Sequence, residues 1–236
     1  MSEKNYPAQE SELPASSPLF LILALVASVA GAIAAAYILP AWMPGLSNSL
    51  LGASPKGFWF LSRGSAIIAY LLLWFSMAFG VTITNKMARI WPGGPAAYDV
   101  HEYFSILGMA FALFHAMILL GDHYINYTLA QVLVPFASLN YKPFWVAMGQ
   151  LSFYLWGIVT LSFYMRKSLK GKTWRVVHYA SYAVFLLALA HGIFSGTDSG
   201  SAWAAWMYWI SGVSLLFLLV YRIAVSISPQ REAQKT

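Results

Sequence analysis

Four of the five histidines lie on two apolar stretches, "HEYFSILGMAFALFH" at residues 101–115 and "HYASYAVFLLALAH" at residues 178–191, each opening and closing on an imidazole. His101 and His115 are 14 residues apart, and His178 and His191 are 13 apart, which on a helix rising 1.5 Å per residue is about 21 and 20 Å. An unpartnered polar ring inside lipid costs several kcal/mol, so ionisable side chains there point to function. If the two stretches run in the same direction, His101 faces His178 and His115 faces His191. Each rung then offers two neutral imidazoles and neither carboxylate nor thiolate. A zinc site asks for four ligands, or three plus water, and a proton relay asks for acids along the distance between the rungs, where these stretches hold only Glu102, next to His101. An iron held from both faces of a macrocycle asks for two imidazoles. The donor set therefore predicts two non-covalent haems b, one on His101 and His178 and one on His115 and His191, stacked as an electron path. With both axial positions filled, electron transfer is favoured over direct binding of a substrate at iron.

The elements that must position these rings are membrane helices. Of 236 residues 59% are hydrophobic and 9% charged, with a mean hydropathy of +0.63, which is outside the range of soluble domains. Six apolar segments, roughly 18–39, 58–82, 100–120, 144–165, 175–195 and 203–227, each approach the ~20 residues that span a bilayer. The fold class expected is all-α, a polytopic six-helix transmembrane bundle. Residues 1–17 and 228–236 read as tails, 18–57 as the first helix with its loop, and 58–227 as the histidine-bearing domain. Odd-numbered spans share a direction, as the pairing requires. One detail resists a simple helical wheel: 14 residues at about 100° each return to within roughly 40° of the starting face, whereas 13 miss it by roughly 140°. The fifth span is expected to bend, tilt or stretch.

Other function classes fall away. Cysteine is absent, which excludes disulfides, thiolate-held iron–sulfur clusters and thioether-linked haem within this chain. No G-x-G-x-x-G or Walker pattern occurs. The net charge of +6 sits in short loops between spans, so no nucleic-acid partner is expected. Glu3, Glu10 and Glu12 outnumber Lys4 before the first segment, which reads as a retained span rather than a signal peptide.

Counting loops alternately, 11 of the 14 basic residues share a face with both termini, leaving Lys56, Arg63 and Lys142 on the other. The positive-inside rule makes the first face cytoplasmic, in the inner (plasma) membrane of a bacterium. The densest cluster, "RKSLKGKTWR" at 166–175, reads as a topology anchor, with docking of an acidic partner as its functional alternative. In "WPGGPAAYDVHE" Asp99 is expected to cap the third span with Glu102 completing a capping box, putting His101 in the first turn, and Gly121 to stop it. Thr173 is expected to cap the fifth, putting His178 in its second turn. Trp91, Trp145, Trp174, Trp203 and Trp206 fall near span ends, where interfacial aromatics belong.

On the two histidine stretches, over about residues 58–227, the chain resembles the ferric reductase-like transmembrane domain shared by ferric reductases, NADPH oxidases and the haem subunit of bacterial periplasmic methionine sulfoxide reductase. The resemblance implies the same pairing, with His101 and His178 on the cytoplasm-side haem and His115 and His191 on the outer one. It also implies a place near the outer haem propionates for Arg63 of "LSRGSA"; a snorkelling interfacial arginine is the alternative. Ferric reductases and NADPH oxidases continue into FAD and NADPH domains and this sequence does not, so a separate flavin- or quinone-linked partner is expected to supply electrons, with an acceptor on the outer side. His123 in "GDHYINY" reads as a solvent-facing loop residue, or alternatively as part of an acceptor or quinone site under the apolar stretch "LAQVLVPF". Two rival functions stand beside this one: a quinol-oxidising cytochrome b that anchors a periplasmic oxidoreductase, and a haem-free structural or transport protein.

Overall fold

The computed structural model describes residues 17–38, 41, 57–84, 93–123, 125–139 and 141–227. Helix α1 (Pro18–Ile33) widens into a π-helical turn over Ala34–Ile38. It is followed by α2 (Gly57–Thr84), α3 (Gly94–Ile118) with a closing 3₁₀ turn over Leu119–Gly121, and the short α4 (Leu129–Leu133). Then come α5 (Pro143–Tyr164), α6 (Gly171–Tyr179), α7 (Ser181–Ser195) and α8 (Ala202–Ile227). Six stretches are long and apolar enough to cross a bilayer: Pro18–Ile38, Gly57–Thr84, Gly94–Gly121, Pro143–Tyr164, Gly171–Ser195 and Ala202–Val225. No strand occurs among the described residues. The protein is an all-α integral membrane protein, as its composition predicts.

Cross-helix contacts fix the directions. Phe20 meets Tyr103 with ring centres 5.7 Å apart, and the Tyr37 hydroxyl donates to the Leu120 carbonyl at 3.4 Å. Both pairs are 83 residues apart, so α1 and α3 run parallel in one register. Tyr70 bonds Ser211 at 2.6 Å and Trp74 donates to Ser214 at 3.0 Å, which sets α2 parallel to α8. Ser62, Ser65, Ser76, Ser152 and Ser211 are buried while Trp206, Trp209 and Phe217 are exposed. That inversion suits a bilayer, where small residues let helices approach and large apolar ones face lipid.

Both expected helix caps are displaced. α3 begins at Gly94 because Gly93, at φ 108°, turns the chain and Pro95 presets the first turn. Asp99 is therefore inside the helix rather than its cap, and His101 is the eighth helical residue, not in the first turn. α6 likewise starts at Gly171 after Lys170 at φ 54°, two residues before Thr173, so His178 lies in its last turn. Gly121 does end the third span. Trp145, Trp174, Trp203 and Trp206 lie within the first turns of α5, α6 and α8. Trp91, Lys4, Lys56, Lys86, Arg89, Arg231 and Lys235 lie outside the described residues.

The fifth span is locally interrupted. α6 ends at Tyr179, Ala180 sits at φ −60°, ψ −15° with its N–H on the Val177 carbonyl at 3.0 Å, and α7 begins at Ser181. His178 and His191 thus stand on either side of a local tightening of one span, where the Val184 N–H still bonds the Ala180 carbonyl at 3.0 Å. The interruption falls between the two histidines, where the 13-residue interval asks for an irregularity.

Candidate functional site: two histidine pairs

The four membrane histidines meet in two pairs. Ring centres are 6.1 Å apart for His101 and His178, and 6.2 Å apart for His115 and His191, with the ring planes crossed at 73° and 67°. Two metal–nitrogen bonds of about 2.0 Å, with roughly 1.1 Å from each nitrogen to its ring centre, place collinear imidazoles about 6.2 Å apart. Each pair is therefore spaced to hold one metal ion between its rings. Among the described residues no group of three or more His, Cys, Asp or Glu comes together. The donor set is two nitrogens per site, which fits an iron whose other ligands come from a macrocycle.

Three of the rings are fixed from behind. Nδ1–H of His101 donates to the Ser76 carbonyl at 2.7 Å, that of His115 to the Ser62 carbonyl at 2.8 Å and that of His191 to the Trp145 carbonyl at 2.8 Å. Such a bond commits the proton to Nδ1 and leaves the Nε2 lone pair for a metal. On α2 the bond is returned, since the Ser76 hydroxyl donates to the His101 carbonyl and the Ser62 hydroxyl to the His115 carbonyl, both at 3.0 Å. Ser62 and Ser76 are 14 residues apart, like the histidines they hold, so the antiparallel helices α2 and α3 repeat one clasp.

Small residues make room for the rings. A Cβ on Gly80 would lie 3.0 Å from His101 Cε1, and one on Gly149 only 2.7 Å from His191 Nδ1. Each glycine is one turn beyond the carbonyl that takes the Nδ1 proton. His178 has neither support. Its Nδ1 is buried without a hydrogen-bond partner, as is Nε1 of Trp174, on which its ring stacks at 5.1 Å.

Each pair borders its own cavity. His115 and His191 line one of ≈ 250 Å³, and His101 and His178 one of ≈ 60 Å³. Leu73 and Trp156 line both and form the wall between them. Trp156 is buried there, its Nε1 donating to Ser105 Oγ at 3.0 Å, and its ring lies where a Cβ on Gly108 would be 2.8 Å away.

Arg63 lines the larger cavity with His115 and His191. Its Nε donates to Asp198 Oδ2 at 2.8 Å and its Nη2 pairs with Oδ1 of the same carboxylate, a two-point contact between α2 and the α7–α8 loop. The stretch "LAQVLVPF" covers the same cavity. Thr128 caps α4 in a capping box with Gln131, and Gln150 Nε2 donates to the carbonyls of Gln131 and Val132 at 2.9 and 2.7 Å, pinning α4 over α5. Burial pushes the Tyr141 hydroxyl above its ordinary pKa, and Arg63 opposes the shift; the group stays a donor, to the Ser195 carbonyl at 2.7 Å. His123 is exposed in the turn after Gly121 and lines neither cavity.

Sequence reading missed Ser62, Ser76, Gly80, Gly149 and Asp198. The repeated 14-residue interval of the serines was a visible signal; Asp198 carried none. Fold and site together define a polytopic integral membrane protein with two histidine pairs in its interior. Comparison with family models, curated proteins and solved structures gave no match, and the functional reading rests on the site itself.

Proposed function

We propose that the protein is a di-haem b transmembrane electron-transfer subunit of the ferric reductase-like kind. The observation that carries this reading is the spacing of both pairs, 6.1 and 6.2 Å between ring centres. His101 with His178 would hold the inner haem, and His115 with His191 the outer. Each bound haem would supply a one-electron couple, tuned by its axial ligands and their hydrogen bonds. The chain's own residues orient the imidazoles, keep Nε2 deprotonated at three of the four, and place the Arg63 guanidinium beside the outer pair, where haem propionates would need a counter-charge.

The partners proposed are a separate flavin- or quinone-linked donor and an acceptor on the outer side. Lys167, Lys170, Lys172 and Arg175 are exposed at the turn between α5 and α6, the bundle end nearest His101 and His178. This supports a cytoplasmic placing of that end, and of both termini, in a bacterial inner membrane, and docking of an acidic donor there. The test is a reduced-minus-oxidised spectrum with haem counted per chain: two non-covalent haems b are expected. A colourless protein made with ample haem would overturn the reading.

A further inference from the structure

We propose that the segment from Thr128 to Leu139, α4 and the turn after it, is embedded in the acyl-chain layer of the leaflet at the His115–His191 end, with lipid rather than water or protein as its outer neighbour. This surface is independent of what the histidine pairs hold. α4 has five residues, and so short a helix leaves most of its carbonyls without an intrahelical donor; at an aqueous surface water takes them. Here the protein takes them. Val134 N–H donates to the Ala130 carbonyl at 2.7 Å, Gln150 Nε2 to those of Gln131 and Val132 at 2.9 and 2.7 Å, the Tyr154 hydroxyl to that of Leu133, and Ala137 N–H to that of Val134 at 3.2 Å. Five consecutive carbonyls, Ala130 to Val134, are thus met inside the protein. The capping box does the same for the N–H groups of Thr128 and Gln131. Internal pairing of the backbone is what a segment needs to lie in hydrocarbon, where no water can complete it.

The depth of α4 agrees. Gln150 and Tyr154 are the eighth and twelfth residues of α5, about 10 and 16 Å along it from Pro143, and side chains on a helix lean toward its N-terminus. Their partners on α4 therefore lie beside the second and third turns of a membrane span, deeper than Trp145 in its first turn.

So does the surface it presents. From Tyr124 to Tyr141 the sequence holds no charged residue. Tyr127, Val132 and Ser138 are buried, while Leu129, Leu133, Val134, Phe136 and Leu139 are exposed. On α5 the exposed residues Phe144, Leu151, Tyr154, Ile158 and Leu161 follow one stripe at helical spacing, the lipid-facing side of that span. The bond from Tyr154 to Leu133 joins the two surfaces, so the apolar face of α4 continues one already turned to lipid. An uncharged face continuous with the lipid-facing stripe selects acyl chains over a water-soluble partner. Gln131, Val132 and Leu133 also line the larger cavity, whose α4 side is thus bordered by bilayer.

The chain has no cysteine, so the full-length protein can carry one nitroxide at a time, on Val134→Cys, Phe136→Cys or Leu139→Cys, in vesicles of phosphatidylethanolamine and phosphatidylglycerol. Collisions of the label with oxygen, which concentrates in lipid, are compared with collisions with a water-soluble nickel chelate. Ile158→Cys supplies the lipid reference and Ser168→Cys the aqueous one. The three sites should match Ile158, with an oxygen-to-nickel ratio several-fold above that of Ser168. A ratio like that of Ser168 would overturn the proposal in favour of water, and protection from both reagents would overturn it in favour of a protein partner or a second copy of the chain. Gln150→Leu takes the donor from two carbonyls of α4, so it should raise nickel access at Val134 several-fold. Unchanged access in that variant would overturn the part assigned to Gln150 in holding the segment in lipid.

Discussion

Ser62 and His115 meet in three contacts: the serine carbonyl accepts Nδ1–H at 2.8 Å, the serine hydroxyl donates to the histidine carbonyl at 3.0 Å, and the same hydroxyl lies 2.8 Å from Nδ1. The carbonyl orients the ring, and the hydroxyl chiefly joins the helices. Ser62→Ala leaves the first contact and removes the hydroxyl's. It should cost about 1 kcal/mol of stability, the usual net worth of one such bond, with haem content unchanged. Ser76→Ala should do the same at the inner pair. Unfolding in detergent, followed with a haem count, checks both; loss of haem in either variant would mean that the hydroxyl orients the ring.

The glycines give a sharper contrast. Gly149→Ala would place a methyl 2.7 Å from His191 Nδ1 and 2.8 Å from Cγ, so the outer haem should be lost or its spectrum changed. Gly80→Ala, at 3.0 Å from His101 Cε1, should perturb the inner haem less. Gly157→Ala on the same α5 meets nothing within 4 Å and should be neutral or stabilising by about 0.5–1 kcal/mol, the helix preference of Ala over Gly.

The two pairs should fail separately. His115→Leu or His191→Leu should remove chiefly the outer haem and stop delivery to an external acceptor, while the inner haem remains reducible. His101→Leu or His178→Leu should block entry instead. His123→Leu, at an exposed site, should leave both haems in place. Pyridine haemochrome counts on each variant decide it, and a shared effect of His101→Leu and His115→Leu on one haem would break the pairing.

Arg63 and Asp198 are each about 30% exposed, at 31% and 28%, so their bond is partly screened and Asp198→Asn should cost only about 1 kcal/mol. Arg63→Gln should act differently. Removing a positive charge beside the outer pair should lower that haem's reduction potential and leave the inner one unmoved, as potentiometric titration would read.

The absence of cysteine makes topology simple to test. Ser168, in the turn after α5, and Ser199, between α7 and α8, lie at opposite ends of the bundle. Single cysteines there should label from opposite sides, Ser168 from the cytoplasm.

The spans and the pairing were legible because both depend on repeats along one chain: apolar runs of bilayer length, and histidines at matched intervals. What was not legible depends on neighbours. Asp99 followed by Glu102 has the form of a cap, yet Gly93 and Pro95 start the helix earlier, since a backbone turn available upstream overrides a side-chain signal. Gly149 looks like any helix glycine until His191 of another span lies against it. The 13-residue interval did announce an irregularity in the fifth span, but not that it would fall at Ala180 and leave His178, alone of the four, without a carbonyl behind its ring.

Trp156, shared as a wall by both cavities, sets how the interior is divided. Two cavities stacked inside a membrane bundle stay separate only where something dry stands between them. Here that partition is the Trp156 indole with Leu73 beside it, the indole locked by Ser105 at one edge and seated over Gly108. Replacing Trp156 with a small residue would thin the partition that it and Leu73 form and bring the two chambers toward one continuous slot. The side chain that separates the two histidine pairs thus also decides whether the interior is two compartments or one.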